Sequence, residues 1–247
     1  MINYKMETQE QTERQEEKAK AIQSKKIMMW LGVISILMMF AGLTSGYVVL
    51  QADNYWVKFD LPYGFWISTA VILASSVTMF LAMRAVRKNE TNKIKYFTGL
   101  TLALGILFMG MQCKAWSQLI HQGNFFVGKI SDLKGEYGKD YVIINQGAQL
   151  NFIDGNFYAA SDKSLAEPLN EKINHKFNTA SGYLYVLTAL HFVHVFVGII
   201  VLLVVLSNAY RNKYSSENPV GMEVASIYWH FLDGLWVYSF FFLLFIR

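Results

Sequence analysis

The sequence is poor in the residues that mark many enzymes and small secreted domains. It has one cysteine and three prolines in 247 residues, and 16% of its residues are charged. A lone cysteine excludes a disulfide within the chain, and the CxxC and CxxCH motifs of zinc, iron–sulfur and c-type haem sites do not occur. Walker A, nucleophile-elbow and HExxH motifs are also missing, so no motif predicts catalysis by this chain alone.

Apolar residues are abundant instead. Hydrophobic residues make up 53% of the chain and aromatic residues 15%, a composition that predicts a polytopic membrane protein. The net charge of +4 is modest. We therefore expect membrane lipids as partners, and no nucleic acid.

Five apolar runs are each about long enough to cross a hydrocarbon core ~30 Å thick as a helix. They cover about residues 27–50, 64–83, 96–114, 182–207 and 224–246. The sequence thus predicts an all-α bundle of five transmembrane helices. We divide the chain into a polar N-terminal tail or surface helix (1–26), helices 1–3 (27–116), an outer loop (117–180) and helices 4–5 (181–247).

Lysine and arginine placement predicts the orientation. The N-terminal tail and the two loops that follow the second and fourth runs carry most of the basic residues near the runs, whereas the opposite short segments hold only Lys58 and Arg247. By the positive-inside rule, the N-terminus is cytoplasmic and the C-terminus is outside.

The outer loop is the only sizeable extramembrane segment that the sequence predicts. Alternating residues at 139–145 and 149–158 suggest short strands, with Asp154-Gly155-Asn156 as a hairpin turn. We expect a small, possibly β, cap of two or three strands on the outer face.

Polar residues inside the last two runs are the candidate functional groups, because ionisable side chains are expensive in hydrocarbon. His191 and His194 lie three residues apart and project about 60° apart on one helix face. Counting 1.5 Å per residue from the ends of the runs places His194 and His230 at about the same depth in the membrane, and Glu223 precedes His230 by almost two turns. We expect His191 or His194 to hydrogen-bond the fifth run near Glu223 or His230, and Asp233 to face a helix, a lipid headgroup or a partner.

Three interpretations of these residues are open. The histidines could hold a b-type haem or a metal, although an i, i+3 pair suits a bis-histidine haem poorly. They could instead form an interhelical network worth about 0.6–2 kcal/mol per hydrogen bond. A transporter with Glu223 and Asp233 in a proton path is the third, but no internal repeat supports it. Small residues such as Gly105 and Gly198 predict close helix packing.

The resemblance to a known family covers all five runs, and motifs in four of them carry it. The fifth run, from Glu223 to Trp236, is similar to an E-x4-YWHF-x-D-x2-W helix and includes Trp229. The fourth, from His191 to Gly198, resembles an H-G-x-HV-x2-G helix. The third resembles an LG-x2-F-x3-Q helix that ends at Gln112, and Ser35 to Tyr47 resembles the first-helix pattern. These are the patterns of subunit III of haem–copper cytochrome c oxidases, in the shorter bacterial form with five helices.

Three positions depart from the family pattern. Phe192 stands where glycine is usual, Ile36 where the first helix commonly has a glutamate, and Ala115 where a glutamate commonly follows Gln112. The proton-linked role associated with the first-helix carboxylate is therefore not transferred to this chain.

The resemblance implies an accessory subunit of the bacterial inner membrane that is not catalytic alone. It would bind no haem or copper itself, since both are expected in the partner catalytic subunit. It would contact subunit I directly, assemble with subunit II and other respiratory subunits, and hold phospholipid in an interhelical cleft. A partner role in a quinol oxidase or a nitric oxide reductase remains an alternative.

Overall fold

The computed structural model describes residues 2–52, 55–145, 147–162 and 164–246. Its helices are α1 (Ile2–Gln51), α2 (Tyr63–Arg87), α3 (Thr91–His121), the short α4 (Asn170–Asn174), α5 (Thr179–Tyr210) and α6 (Val220–Phe245). Its strands are β1 (Trp56–Phe59), β2 (Tyr141–Asn145), β3 (Ala148–Gln149), β4 (Asn151–Ile153) and β5 (Asn156–Tyr158).

Within the described residues, five helices are long and apolar enough to cross a membrane, which confirms the predicted five-span bundle. Each helix extends beyond its apolar run, because backbone hydrogen bonds continue past the hydrocarbon into polar residues. The extension is longest in α1, which begins at Ile2 and has 50 residues. The polar N-terminal segment and the first span therefore form one continuous helix.

A three-residue turn makes α2 and α3 antiparallel neighbours. Asn89 takes the left-handed conformation in this turn (φ 57°), which asparagine tolerates better than most residues. Its side chain accepts from the backbone N–H of Ser216 (2.6 Å) and donates to the Ser216 hydroxyl (2.9 Å). The α2–α3 turn and the α5–α6 loop thus lie on one face, the positive face, defined here by Lys25, Arg84, Arg87, Arg211 and Lys213.

The last helix is the most buried of the spans. Within its apolar window, 56% of α6 is buried, against 17% for α1. It packs against α1, α2 and α5, while α3 packs against α2 and α5. In keeping with this position, α6 contributes three of the large buried aromatic side chains, Trp229, Trp236 and Phe240.

The opposite face carries the predicted cap, and we call it the sheet face. Strands β4 and β5 form the expected hairpin, with positive φ at Asp154 and Gly155 in its turn. A second sheet has the order β1-β2-β3, in which Val57 lies opposite Ile143. Strand β1 was not predicted, since it comes from the short α1–α2 connection and pairs with a segment far along the chain. These side chains share a small core with Leu150.

Candidate functional site

The indole of Trp229 joins four of the five spans. It is 1% exposed, and its N–H donates to the Ser75 hydroxyl of α2 (3.1 Å). A Cβ added at Gly105 of α3 would lie 2.7 Å from the ring, and one at Gly198 of α5 would lie 3.1 Å from it. The ring of α6 therefore lies between two helix backbones that only glycine allows to approach so closely.

Trp236, two turns further along α6, repeats this arrangement with other partners. Its N–H donates to the Thr69 hydroxyl of α2 (3.0 Å). Its ring stacks on Phe65, with centroids 6.0 Å apart, and meets the edge of Phe108 at 5.1 Å. The His191 ring lies 4.9 Å away. Tryptophan rings thus fill the α2–α3–α6 interface at two levels.

His191 lies in the core and bonds the backbone of α6. It is fully buried, and its Nε2 lies 3.0 Å from the carbonyl oxygen of Leu232, two residues beyond His230. Its Nδ1 has no hydrogen-bond partner among the described residues. Gln112 of α3 is also fully buried, and neither of its amide atoms has such a partner. Gln112 lies one turn from Phe108, whose ring contacts His191 at 5.7 Å.

His194 lies on a different side of α5. Its Nδ1 is 2.6 Å from the Leu190 carbonyl of its own helix, and its ring is 6.3 Å from Phe40 of α1. The Tyr228 hydroxyl donates to the His194 backbone carbonyl (3.2 Å), which ties α6 to α5 at this level. In the described hydrogen bonds, His194 and His230 take separate partners. Equal depth did not bring them together, because the two rings point in different directions.

His230 and Asp233 form the second polar group, with Ser76 of α2. The Ser76 hydroxyl is 2.7 Å from Nδ1 of His230, and that nitrogen is 4.0 Å from Oδ2 of Asp233. The side chain of His230 is 36% exposed and that of Asp233 only 4%. Neither carboxylate oxygen has a hydrogen-bond partner in the described part of the chain. Asp233 thus faces the α2–α6 interface.

Glu223 lies apart from both groups, near the positive face. Its carboxylate is 2.8 Å from the Lys26 ammonium of α1. Sequence reasoning missed this partner, as it missed the hydroxyls of Thr69, Ser75 and Ser76. The signal for the hydroxyls was present, since serine and threonine recur along one side of α2 at helical spacing.

Two clefts open near the positive face. The α1–α5 cleft has a volume of about 760 Å³, with Lys25 and Lys213 at its rim and apolar side chains such as Val33 and Val197 in its wall. Tyr214 also lines this cleft. Burial raises the pKa of its phenol, so the phenol stays neutral. The α2–α6 cleft, of about 500 Å³, is lined by Phe80, Met83, Arg84, Arg87, Glu223, Ser226, Ile227 and His230.

No group of three or more histidine, cysteine, aspartate or glutamate side chains that could hold a metal ion is found among the described residues. His191, His194 and His230 lie in three separate hydrogen bonds, to Leu232, Leu190 and Ser76 respectively. The arrangement can join helices and hold polar groups in the membrane. Fold and site together define a five-span membrane protein whose polar side chains chiefly bind its own helices.

Comparison with known proteins shows which subunits this chain resembles. The family model described as cytochrome c oxidase subunit III matches residues 171–246, which include α5 and α6. The chain is 24% identical over 216 residues to cytochrome c oxidase subunit 3 of Thermostichus vulcanus, covering 84% of this chain and 80% of that protein. The resemblance of this chain to subunit III of the haem–copper oxidases is therefore confirmed.

Two further relatives show how widely the similarity extends. Cytochrome bo(3) ubiquinol oxidase subunit 3 of Pseudomonas aeruginosa is 25% identical, with 84% of this chain and 78% of that protein covered. Cytochrome c oxidase subunit 3 of Bacillus sp. PS3 is 22% identical, with 85% and 80% covered. Relatives described as cytochrome c oxidase subunits and as a ubiquinol oxidase subunit thus both match more than four fifths of the chain.

The structure gives a reason for one departure from the family pattern. Ala115 of α3 is fully buried, and its Cβ would lie 3.2 Å from a Cβ added at Gly64 of α2. The two helices are too close there for a glutamate side chain to follow Gln112 at the same position. Phe192, another departure from the family pattern, packs its ring 5.1 Å from that of Trp116 of α3.

Proposed function

We propose that this chain is the non-catalytic subunit III of a haem–copper terminal oxidase in aerobic respiration. The observation that carries the proposal is that polar groups in the last two spans form hydrogen bonds to other helices of the chain. His191 bonds the α6 backbone, and Trp229 and Trp236 bond α2 hydroxyls, so these groups stabilise a bundle. The similarity to subunit III relatives supplies the context in which such a bundle works.

In this proposal, the haem and copper centres lie in the partner catalytic subunit. That subunit transfers electrons to oxygen and pumps protons, and this chain stabilises it through direct contact with subunit I, alongside subunit II. We propose the bacterial inner membrane as the location, with the positive face cytoplasmic and the C-terminus periplasmic. The four-part division at residues 26, 116 and 180 is part of the same proposal.

The α1–α5 cleft is the place that we propose for a structural phospholipid. The ammonium groups of Lys25 and Lys213 lie at its rim, where a phosphate can be bound by charge, and Asn208 lies beside them. Val33 and Val197 offer an apolar wall to an acyl chain. We expect Lys213→Gln to reduce the phosphorus retained per purified complex. Lys88→Gln, on the same face but outside this lining, is the matched control.

The test is a mild-detergent purification of the tagged full chain, with subunit identification and a reduced-minus-oxidised spectrum. We expect haem bands to arrive with a large partner and to be absent once the chain is separated from it. His191→Phe should lower the recovery of the complex without changing the haem spectrum of the complexes that assemble. A stoichiometric haem on the isolated chain, lost in His191→Phe, would make the chain a b-type cytochrome instead.

The identity of the electron donor distinguishes a cytochrome c oxidase from the alternative complexes. A quinol oxidase is the second candidate, because the Pseudomonas relative carries that description at similar identity. Oxidation of reduced cytochrome c and of a quinol by the purified complex distinguishes the two. A complex that turns over nitric oxide, but oxidises neither reduced cytochrome c nor a quinol with oxygen, would be a nitric oxide reductase.

A further inference from the structure

The α2–α6 cleft has a mixed lining, in which charged and polar side chains lie beside apolar ones. Five of its eight lining side chains are polar, namely Arg84, Arg87, Glu223, Ser226 and His230. Its volume of about 500 Å³ far exceeds what one water molecule needs. A polar and roomy cavity of this kind holds water when several hydrogen-bonding groups face it.

The cleft extends well into the span region. Arg87 is the last residue of α2 and Phe80 lies two turns before it, so the lining descends about 10 Å at 1.5 Å per residue. On α6, His230 lies ten residues after Val220, about 15 Å from the start of the helix. The polar lining therefore runs from the positive face to the level of His230.

A buried acidic group lies directly behind the cleft. Asp233 is 3% exposed and does not line the cleft itself, but its Oδ2 is 4.0 Å from Nδ1 of His230. The Ser76 hydroxyl bonds the same nitrogen at 2.7 Å. Since a buried carboxyl with no hydrogen-bond partner is costly, Asp233 needs compensation from a proton or from nearby water.

The charged groups around the cleft are unevenly neutralised. Glu223 is paired with Lys26, at 2.8 Å, so its charge is largely compensated from α1. Arg84 and Arg87 of α2 face the cleft, and both are exposed. His191 approaches α6 from the α5 side, where it bonds the Leu232 carbonyl. The cleft thus joins a cationic entrance to a histidine and a buried carboxyl.

We propose that the α2–α6 cleft is an aqueous vestibule, open only to the positive face, through which His230 and Asp233 exchange protons with the solution. A proton from a hydronium ion in the cleft binds the imidazole of His230 and leaves water. The imidazolium then gives its Nδ1 proton to the Ser76 oxygen, while the serine O–H turns toward Asp233 and passes its own proton to the carboxylate. The serine hydroxyl is regenerated, and the imidazole is neutral again. The reverse steps return the proton. This proposal does not depend on the oxidase assignment.

Thiol labelling in membrane vesicles tests whether the cleft holds water. In a Cys113→Ser background, Ser226→Cys places a thiol in the cleft, and Val204→Cys places one on the outer side of α5. Each position lies six residues, about 9 Å, from the positive-face end of its helix. Ser226 is 7% exposed and Val204 is 57% exposed, so exposure alone predicts that Val204→Cys reacts faster.

We expect the opposite order. A membrane-impermeant methanethiosulfonate reacts with the thiolate, which requires water, so Ser226→Cys should react about tenfold faster or more. The reaction should occur only when the reagent is added at the positive face. Equal or slower labelling of Ser226→Cys overturns the proposal, as does equal labelling from both faces. Ile227→Cys is a second cleft probe if Ser226→Cys does not assemble.

Infrared difference spectra test the proton step. The carboxyl band of Asp233 is assigned by its loss in Asp233→Asn, measured in the full chain within its complex. In the parent, we expect this band to respond to transfer into heavy water within the mixing time, and His230→Leu and Ser76→Ala to slow the response at least tenfold. An unchanged rate in both variants, or a band that never responds, refutes the relay.

Discussion

Replacing Gly105 by alanine tests whether the Trp229 ring determines how closely the helices pack. The added Cβ would lie 2.7 Å from Cη2 of the ring and 3.1 Å from Cζ2. The ring cannot simply move away, because a Cβ at Gly198 on another helix would lie 3.1 Å from it and its N–H is bonded to Ser75. One methyl group must therefore displace α3 or force the indole off its position.

The expected cost follows from overpacking. Inserting a methyl group into a well-packed core typically costs about 1–3 kcal/mol. That cost corresponds to a loss of roughly 5- to 140-fold in the folding equilibrium constant. Gly99→Ala and Gly110→Ala on the same helix are the matched controls, since nothing lies within 4 Å of a Cβ at either position. They should be neutral, or stabilising by up to about 1 kcal/mol through helix propensity.

The assay is equilibrium unfolding of the purified chain in mixed micelles with increasing denaturing detergent. Trp229→Phe removes the ring atoms that the new methyl group would meet, so it should cost less in the Gly105→Ala background than in the parent. If Gly105→Ala is as mild as Gly99→Ala, or if the two substitutions simply add, the ring does not limit the helix spacing and the argument is wrong.

Three further changes test separate contacts. A double-mutant cycle of Lys26→Ala and Glu223→Ala should give a coupling of about 0.2–1 kcal/mol, smaller at high salt, because both side chains are partly exposed. Trp236→Phe should cost about 1 kcal/mol through loss of the Thr69 hydrogen bond, whereas Trp30→Phe, 53% exposed on α1, should cost little in the same unfolding assay. A hydrogen bond from the Ser164 hydroxyl, with backbone N–H donors, lowers the pKa of Asp162. The ionised carboxylate therefore stabilises this loop fully at pH values above the ordinary carboxyl pKa. Amide-exchange protection at Ala166, whose N–H bonds this carboxylate, should fall as the pH drops through the lowered pKa of Asp162. In Asp162→Asn the protection should be weak at every pH.

The sequence predicted what depends on local composition. Length and hydropathy are properties of single segments, so the five spans and the turn at Asp154-Gly155 were found. Strand β1 was missed because its pairing partner, β2, lies more than eighty residues along the chain and four residues carry little pattern of their own. The predicted runs were shorter than the helices, because hydropathy marks the hydrocarbon and not the last backbone hydrogen bond.

The candidate site shows the same limit at the level of side chains. Depth along a helix follows from residue counting, and it placed His194 and His230 at one level. Direction does not follow, since it depends on how each helix is rotated in the bundle. His191 therefore bonds Leu232 in the core, while His194, three residues on, bonds its own helix. A backbone carbonyl as partner has no sequence signal at all.

Exposed apolar surface carries little information in a membrane protein, whereas the position of each polar group carries much. Met28, Met38 and Val49 of α1 are each 70% exposed, yet lipid chains are as apolar as these side chains, so their exposure costs nothing and marks no partner. A serine, histidine or aspartate at the same depth must find a partner or water. In α6 the indoles find hydroxyls of α2, whereas Asp233 finds none among the described residues and lies behind a polar cleft. Substitutions of the paired indoles and hydroxyls should therefore change the stability of the bundle. Substitutions of Asp233 should change what the cleft exchanges with the solution.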